Sequence, residues 1–336
     1  MTTRRKLVAF IAACAAAPLF ALAQPAGKIP RIALVHPTVS LADMQGSKPA
    51  DRLTQEFVER LRQLGYVEGR SISIERRSAE GQPERLPALM KDLVDLRMDV
   101  IVTLGSAVRV ARRATSTIPI VGLLDDPIAA GVTANLARPT QNVTGVTFTS
   151  GPALLGKSLQ FLKEVAPRSR RVAVFDFKYV DANATPFVHQ RRQAAEAAAR
   201  ELGLTLVAVG VNSGDDLDQA FALIDRAGVD AVMDITSTVT YVHRHRIIDF
   251  AAQRRLPAIY VCRECVDEGG LMSYMSGSGG SERLAEYVDK LLKGARPADL
   301  PFEQPSKYEL AINLKTAAQL GLTIPQSLLL VAEVIR

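Results

Sequence analysis

The sequence has no tryptophan, only four histidines and three cysteines, and aromatic residues fill just 5% of its 336 positions. Nucleic-acid binding draws on basic stripes interleaved with stacking aromatics; neither is present, which excludes that partner class. Three cysteines are too few to frame a disulfide-stapled fold. His243 and His245 stand two apart on a predicted helix and point to different faces, so they do not make a metal site with Cys262 and Cys265. The nucleophile elbow GxSxG and the Walker-type phosphate loop are missing, and no GxGxxG follows the first strand. Gly277-Ser278-Gly279-Gly280 lacks the preceding parallel strand that a phosphate cradle needs, and reads as a hinge or helix entry. The expectation is a protein without cofactor, metal or catalytic role.

Long apolar runs are missing as well, save one. Arg4, Arg5 and Lys6 precede a charge-free stretch from Leu7 to Leu22, which is short for a membrane-spanning helix. Ala21-Leu22-Ala23 places small residues where a signal peptidase reads, so residues 1–23 are expected to be an export signal cleaved before Gln24, giving a periplasmic protein. Ile11-Ala12-Ala13-Cys14 offers a competing lipoprotein-type box that would leave Cys14 as a lipid anchor. Removing residues 1–23 leaves 38 basic and 35 acidic side chains, a formal charge of +3 instead of +6. The 313 residues that follow suffice for two domains of ordinary size.

What is present is strict alternation. Arg31 to Pro37, Ser71 to Arg77, Asp99 to Leu104 and Ile118 to Leu124 read as strands, separated by helical patterns at Ala50 to Leu64, Leu86 to Leu96 and Ser106 to Ala114. Runs such as Val100-Ile101-Val102 suit strands buried on both faces of a parallel sheet. After a linker the order repeats, with strands at Val172 to Phe175, Leu204 to Val211, Ala231 to Ile235 and Pro257 to Val261. Helices at Pro186 to Glu201, Asp215 to Ala227 and Tyr241 to Arg254 alternate with them. The halves also echo in wording: Gln63-Leu64-Gly65-Tyr66 matches Glu201-Leu202-Gly203-Leu204, and Met98-Asp99-Val100-Ile101 matches Val229-Asp230-Ala231-Val232. The fold class expected is α/β, two doubly wound parallel-sheet lobes.

Asn142 to Val146 and Gly269 to Ser273 carry glycine beside strand formers and are expected to cross between lobes, with a third crossing near Phe302 making a hinge. The lobes are then 28–146 plus 274–300, including a helix at Ser281 to Lys293, and 147–273 plus 301–336. Open parallel sheets bind ligands beyond the carboxyl ends of their strands, so the binding residues belong to the loops there. In lobe 1 these are His36, Thr38, Ser106 and Asp126; in lobe 2, Tyr179, Asn183, Thr236, Thr238, Arg263 and Glu264. Ser106 and Thr236 precede helices and can cap them, leaving backbone N–H groups for an anion. His36 is a ligand donor or a satisfied structural histidine, and Asp126 an amine partner or ordinary turn chemistry before Pro127. Tyr179 can stack on a flat ligand, whereas Tyr274 reads as core. Arg263 suits a ligand carboxylate, or pairs with Asp267 or Glu268. Cys262 and Cys265 either close a small disulfide or stay as unpaired apolar residues. Arg191-Arg192 and Arg244 to Arg246 read as solvated helix faces or contacts to a permease.

Glu68-Gly69-Arg70, Arg85-Leu86-Pro87-Ala88-Leu89, Asn142-Val143-Thr144-Gly145-Val146, Gly269 to Tyr274 and Ile312 to Ala317 together resemble the ABC-transporter substrate-binding family with the type I periplasmic binding fold. The resemblance spans nearly the whole chain after residue 23. It implies a soluble monomer that closes around a small organic ligand, amino-acid-like or an aromatic carboxylate, and delivers it to a membrane permease with its ATPase. A periplasmic sensor domain serving a membrane receptor is the alternative. The sequence departs from the family pattern at His36 to Ser40, at Asp176 to Asn183, and at Cys262 and Cys265, so the resemblance carries no particular ligand with it.

Overall fold

The computed structural model describes residues 28–139, 141–147, 153–175, 186–211, 213–235, 238–276, 280–305 and 307–336. Five parallel strands form the first sheet: β1 (Arg31–His36), β2 (Ser73–Ser78), β3 (Val100–Leu104), β4 (Ile120–Leu124) and β5 (Val143–Thr147), in the order β2-β1-β3-β4-β5. Each of β3, β4 and β5 is buried along all five residues, as an unbroken apolar strand must be when helices cover both faces. Successive residues of β1 show this. Ile32 and Leu34 join one core cluster while Ala33 and Val35 join another on the opposite face.

Helix α1 (Arg52–Gln63) starts where Asp51 caps it, its carboxylate accepting from Thr54 N–H at 2.8 Å and from the Thr54 hydroxyl at 2.6 Å. It lays Phe57 and Leu61 on the Ile32–Leu34 face. On the other face α2 (Leu86–Asp95) and α3 (Ser106–Ala114) bury Met90, Val108 and Ala111.

The second sheet has seven strands, in the order β12-β11-β10-β9-β8-β6-β7. They are β6 (Arg171–Phe175), β7 (Thr205–Val209), β8 (Ala231–Asp234), β9 (Ala258–Tyr260), β10 (Met272–Ser276), β11 (Tyr308–Asn313) and β12 (Ala332–Ile335). Only the β10–β11 pairing is antiparallel. Helices α4 (Ala153–Val165) and α5 (Pro186–Glu201) pack on the Val172–Val174 face. On the Ala173–Phe175 face lie α6 (Leu217–Arg226), α7 (Thr238–Val242), α8 (Arg244–Gln253) and α9 (Arg263–Asp267). Helix α4 stands where the sequence reading has only a linker. Next in the chain, α10 (Gly280–Leu292) follows a strand of the second sheet yet buries Leu284, Tyr287, Val288 and Leu291 against α1 and Leu34 on the first. Helices α11 (Leu314–Leu320) and α12 (Gln326–Leu329) complete the second lobe.

The chain therefore changes sheet between Thr147 and Ala153, between Ser276 and Gly280, and between Glu303 and Tyr308. Of the segments expected as the crossings themselves, Asn142 to Val146 is almost all strand and Gly269 to Ser273 is a turn that runs into β10; the changeovers follow them. Glycine beside strand formers misled because Gly145 serves close packing here. It pairs with Gly122 at a φ of 150°, and a side chain there would overlap the Gly122 carbonyl oxygen. The third passage is tied to the first lobe: Glu303 N–H donates to the Gly145 carbonyl at 3.0 Å and the Thr147 N–H to the Glu303 carbonyl at 2.8 Å. No helix among the described residues is long and apolar enough to cross a membrane.

Candidate functional site

The strand ends of the two sheets converge at the junction between the lobes. On the first, β1 ends at His36, which is 8% exposed. Its Nδ1 accepts from the N–H groups of Thr38 and Val39, both at 3.2 Å, and lies 3.2 Å from the Thr38 hydroxyl. An accepting Nδ1 in a neutral ring leaves the proton on Nε2, making that atom a donor. Burial pushes the imidazole pKa below its ordinary value, against the opposing pull of Asp51. His36 and Thr38 thus form one unit that fastens the loop after β1.

One expected role needs correction, and Asp126 shows the turn chemistry that the sequence offered as its alternative. Ser106 is exposed and forms the first residue of α3; the N-cap position belongs to Gly105, at a φ of 53°, and no side chain caps the helix. Asp126 spends Oδ1 on the N–H groups of Ile128 and Ala129, at 2.8 and 3.1 Å, which is the turn chemistry of an aspartate before proline. Tyr179, Asn183 and Thr236 lie outside the described residues, as does the side chain of Thr238 at the start of α7. Tyr274 packs edge-on against Phe161 at 4.9 Å between centroids, as a core residue.

On the second lobe, Cys262 and Cys265 are joined as a disulfide with Cα atoms 5.5 Å apart, and both are buried. The bridge spans the first turn of α9 and anchors the two residues between. For Arg263, offered as a partner of a ligand carboxylate or of Asp267 or Glu268, the structure shows the Asp267 pairing. Its guanidinium is engaged by Glu333 of β12 through both terminal nitrogens, the Nη2 contact at 2.9 Å, and by Asp267 through Nε at 3.1 Å. That fork ties α9 to the edge strand, and Arg263 also lines the cavity between the lobes.

Glu264 is the other residue held by the bridge, and its side chain faces the junction. Burial raises its carboxyl pKa above the ordinary range, and Asp51 adds to the rise. A hydrogen bond to its own backbone N–H and the charges of Arg52 and Arg244 act the other way. Arg52, on the first lobe, holds Glu56 through Nε at 2.7 Å. Arg244 is clamped by Glu268 at 2.6 and 2.7 Å and sits 4.6 Å over the Tyr241 ring. The sequence reading assigned this arginine to a solvated face or a permease contact; the structure pairs it with Glu268, its charge reaching Glu264.

The lobes are in contact here. Val242 of α7 lies so near Gly81 that a Cβ on that glycine would sit 3.1 Å from a valine methyl. A cavity of about 330 Å³ is walled by Arg52, Leu123 and Thr147 from one lobe and Glu264, Ser273 and Met275 from the other. Its volume falls at the small end of the range for small-molecule sites, about 300–1,000 Å³. The hinge side is closed by Arg283, which bridges Glu286 and Glu303. Among the described residues no group of three or more His, Cys, Asp or Glu is placed to hold a metal ion.

The sequence reading did not single out Arg52, which lines the cavity from the first turn of α1 and follows no strand directly. The available signal was its place beside the capping Asp51, where α1 opens toward the strand ends.

Two doubly wound lobes, a chain that passes between them three times and a cavity walled by both define the class of two-lobed receptors that enclose a small solute. The family model for ABC transporter substrate binding proteins matches residues 47–335, and the chain belongs to that family. The family is one of solute-binding proteins that work with a transporter outside the cytoplasmic membrane, not a family of enzymes. A tyrosine-binding protein of Clostridioides difficile (strain R20291) is 22% identical over 281 residues, covering 81% of this chain and 77% of that protein. Among solved structures, the ABC domain from Streptococcus pneumoniae in complex with L-Trp superposes with a TM-score of 0.78 at 22% identity, over 92% of this chain and 100% of that one. A conserved domain protein from Vibrio cholerae gives 0.78 at 23% identity, with the same coverage.

Proposed function

We propose that the protein is exported to the periplasm under the direction of residues 1–23, captures an amino-acid-like solute between its lobes, and hands it to the permease of an ABC importer. The observation that carries this reading is the cavity at the lobe junction, with charged and polar side chains from both lobes on its wall. Capture follows from its placement: a solute touching both walls binds the closed arrangement better than the open one, and that difference in affinity is the free energy of closure. The similarity to proteins described with tyrosine and L-Trp supports an amino-acid-like ligand.

A thermal-shift panel of amino acids, aromatic acids, sugars and small amides tests the proposal. At a ligand concentration 100 times Kd, binding adds about 2.7 kcal/mol of stability, a shift of several degrees. If no compound moves the unfolding midpoint, the capture reading fails.

A further inference from the structure

The three passages between the lobes meet the first lobe at three residues: one leaves at Thr147, the end of β5, one arrives at Gly280, the start of α10, and one leaves at Glu303. The third is stitched down before it departs. The Leu300 carbonyl accepts from the buried Thr144 hydroxyl at 2.6 Å, the Pro301 carbonyl from the Tyr287 hydroxyl, and the Phe302 N–H donates to the Leu136 carbonyl at 2.7 Å. Glu303 then lies beside Val146 as a parallel partner. From Tyr308 the chain is already paired with Ser276 of the second sheet, so only residues 304–307 separate the two anchors, and Pro305 among them has a fixed φ. Arg283, on the first turn of α10, reaches across to this departure point. Its guanidinium takes the Glu303 carboxylate through Nε at 2.7 Å and through Nη2, while Nη1 meets Glu286, which Arg60 of α1 also holds at 2.7 Å. One side chain thus joins the arrival of the second passage to the departure of the third. Backbone hydrogen bonds join that in turn to the departure of the first.

From this arrangement we infer that Arg283 is the positioning residue of the hinge: its fork on Glu303 yokes the three passages at their first-lobe ends, so that the lobes turn about one axis. The inference uses the lobe motion of the reading above and does not depend on which solute is captured. Stability alone does not account for the pair. Helix α10 is already seated by Leu284, Tyr287 and Val288, each fully buried. A part-exposed ion pair changes a folding equilibrium by a factor of about five or less. What a bidentate guanidinium adds is direction, because two parallel contacts fix the angle between the groups as well as their distance. With the yoke intact, each passage bends beyond the line from Thr147 through Glu303 to Gly280, and the second lobe swings as a rigid body. Without it, Glu303 stays with β5 through its backbone while the start of α10 is free to shift, and the second lobe turns about more than one axis. Arg283 and Glu303 also stand on the cavity wall, so a displaced axis changes the fit of the two walls directly.

Double electron–electron resonance on the full mature chain without ligand tests the assignment. Spin labels on Ala88→Cys of α2 and Gln193→Cys of α5, both exposed positions, read the distribution of distances between the lobes. A second pair, Ala88→Cys and Arg70→Cys, lies within the first lobe and serves as its control. Arg283→Gln and Glu303→Gln should each widen the distribution between the lobes, and the double variant should be no wider than either, since both remove the same contact. The control distribution should stay as in wild type, and the unfolding constant in urea should change by no more than about fivefold. Arg283→Lys, which keeps the charge but cannot form the fork, should fall between wild type and Arg283→Gln. The assignment is overturned if Arg283→Gln leaves the distribution between the lobes unchanged, or if the two substitutions add in the double variant. It also falls if the control distribution widens as much, because the pair then only holds the first lobe together. The labels report without ligand, so a compound panel in which nothing binds ends the capture reading and leaves this result to be judged by itself.

Discussion

Glu264 shows how the burial of one carboxyl couples stability to pH. Its carboxyl is pushed above the usual range chiefly by burial, so between the ordinary carboxylate pKa near 4.5 and the raised value the folded chain holds a proton that the unfolded chain releases. Its contribution to stability is therefore fully present below the ordinary pKa and is lost as pH rises through the raised one. Glu264→Gln has no such penalty. In urea unfolding of ligand-free protein, the variant should be more stable than wild type at pH 7, with the difference shrinking toward pH 4. A constant difference across that range would show that the carboxylate is not the cause. Around this residue the sequence named Glu264 itself, because the loop after a strand end is where the topology puts binding groups. It did not name Arg52. For Arg263 it offered a ligand carboxylate or a pairing with Asp267 or Glu268; the structure shows the Asp267 pairing and adds Glu333. The partner of Arg263 is Glu333, seventy residues away in sequence, and no local pattern announces such a pairing.

At the scale of elements, alternation was legible because each strand interior is apolar on both sides and each helix carries one apolar face. Val100–Leu104 and Ser106–Ala114 were read from exactly that contrast in periodicity. Among the elements that escaped are α9, α11, α12 and β12, and also α4 and the strands flanking the crossings, where small and polar residues such as Thr144, Gly145 and Ser273 resemble linker. Their burial comes from neighbours: Thr144 donates its hydroxyl to the Leu300 carbonyl at 2.6 Å, and Gly145 lies against Gly122. Gly145→Ala is the sharp test. The added methyl meets backbone that cannot rotate away, and the φ of 150° disfavours any side chain. A loss of about 3 kcal/mol or more in chemical denaturation is expected. A loss below about 1 kcal/mol would mean that β4 and β5 separate easily.

For the whole molecule, the decisive property is that two sheets are joined by three passages, one of them hydrogen-bonded to the first lobe through Glu303. Motion of one lobe about the other then bends few residues and leaves both cores packed. Small-angle scattering with and without L-tyrosine or L-tryptophan should show a smaller radius of gyration when ligand is present. An unchanged radius despite measured binding would place the ligand in a lobe arrangement already closed without it.

The sequence by itself determined the α/β class, the pseudo-repeat of two lobes and the loops in which binding residues must lie. These follow from periodicity and from the rule that parallel sheets present their carboxyl ends, both of which are local or topological properties. Only the tertiary structure decided which charges are spent and which stay open. Whether Arg263 or Arg244 is engaged depends on carboxylates brought from other segments, Glu333 and Glu268, and on burial that no single segment controls.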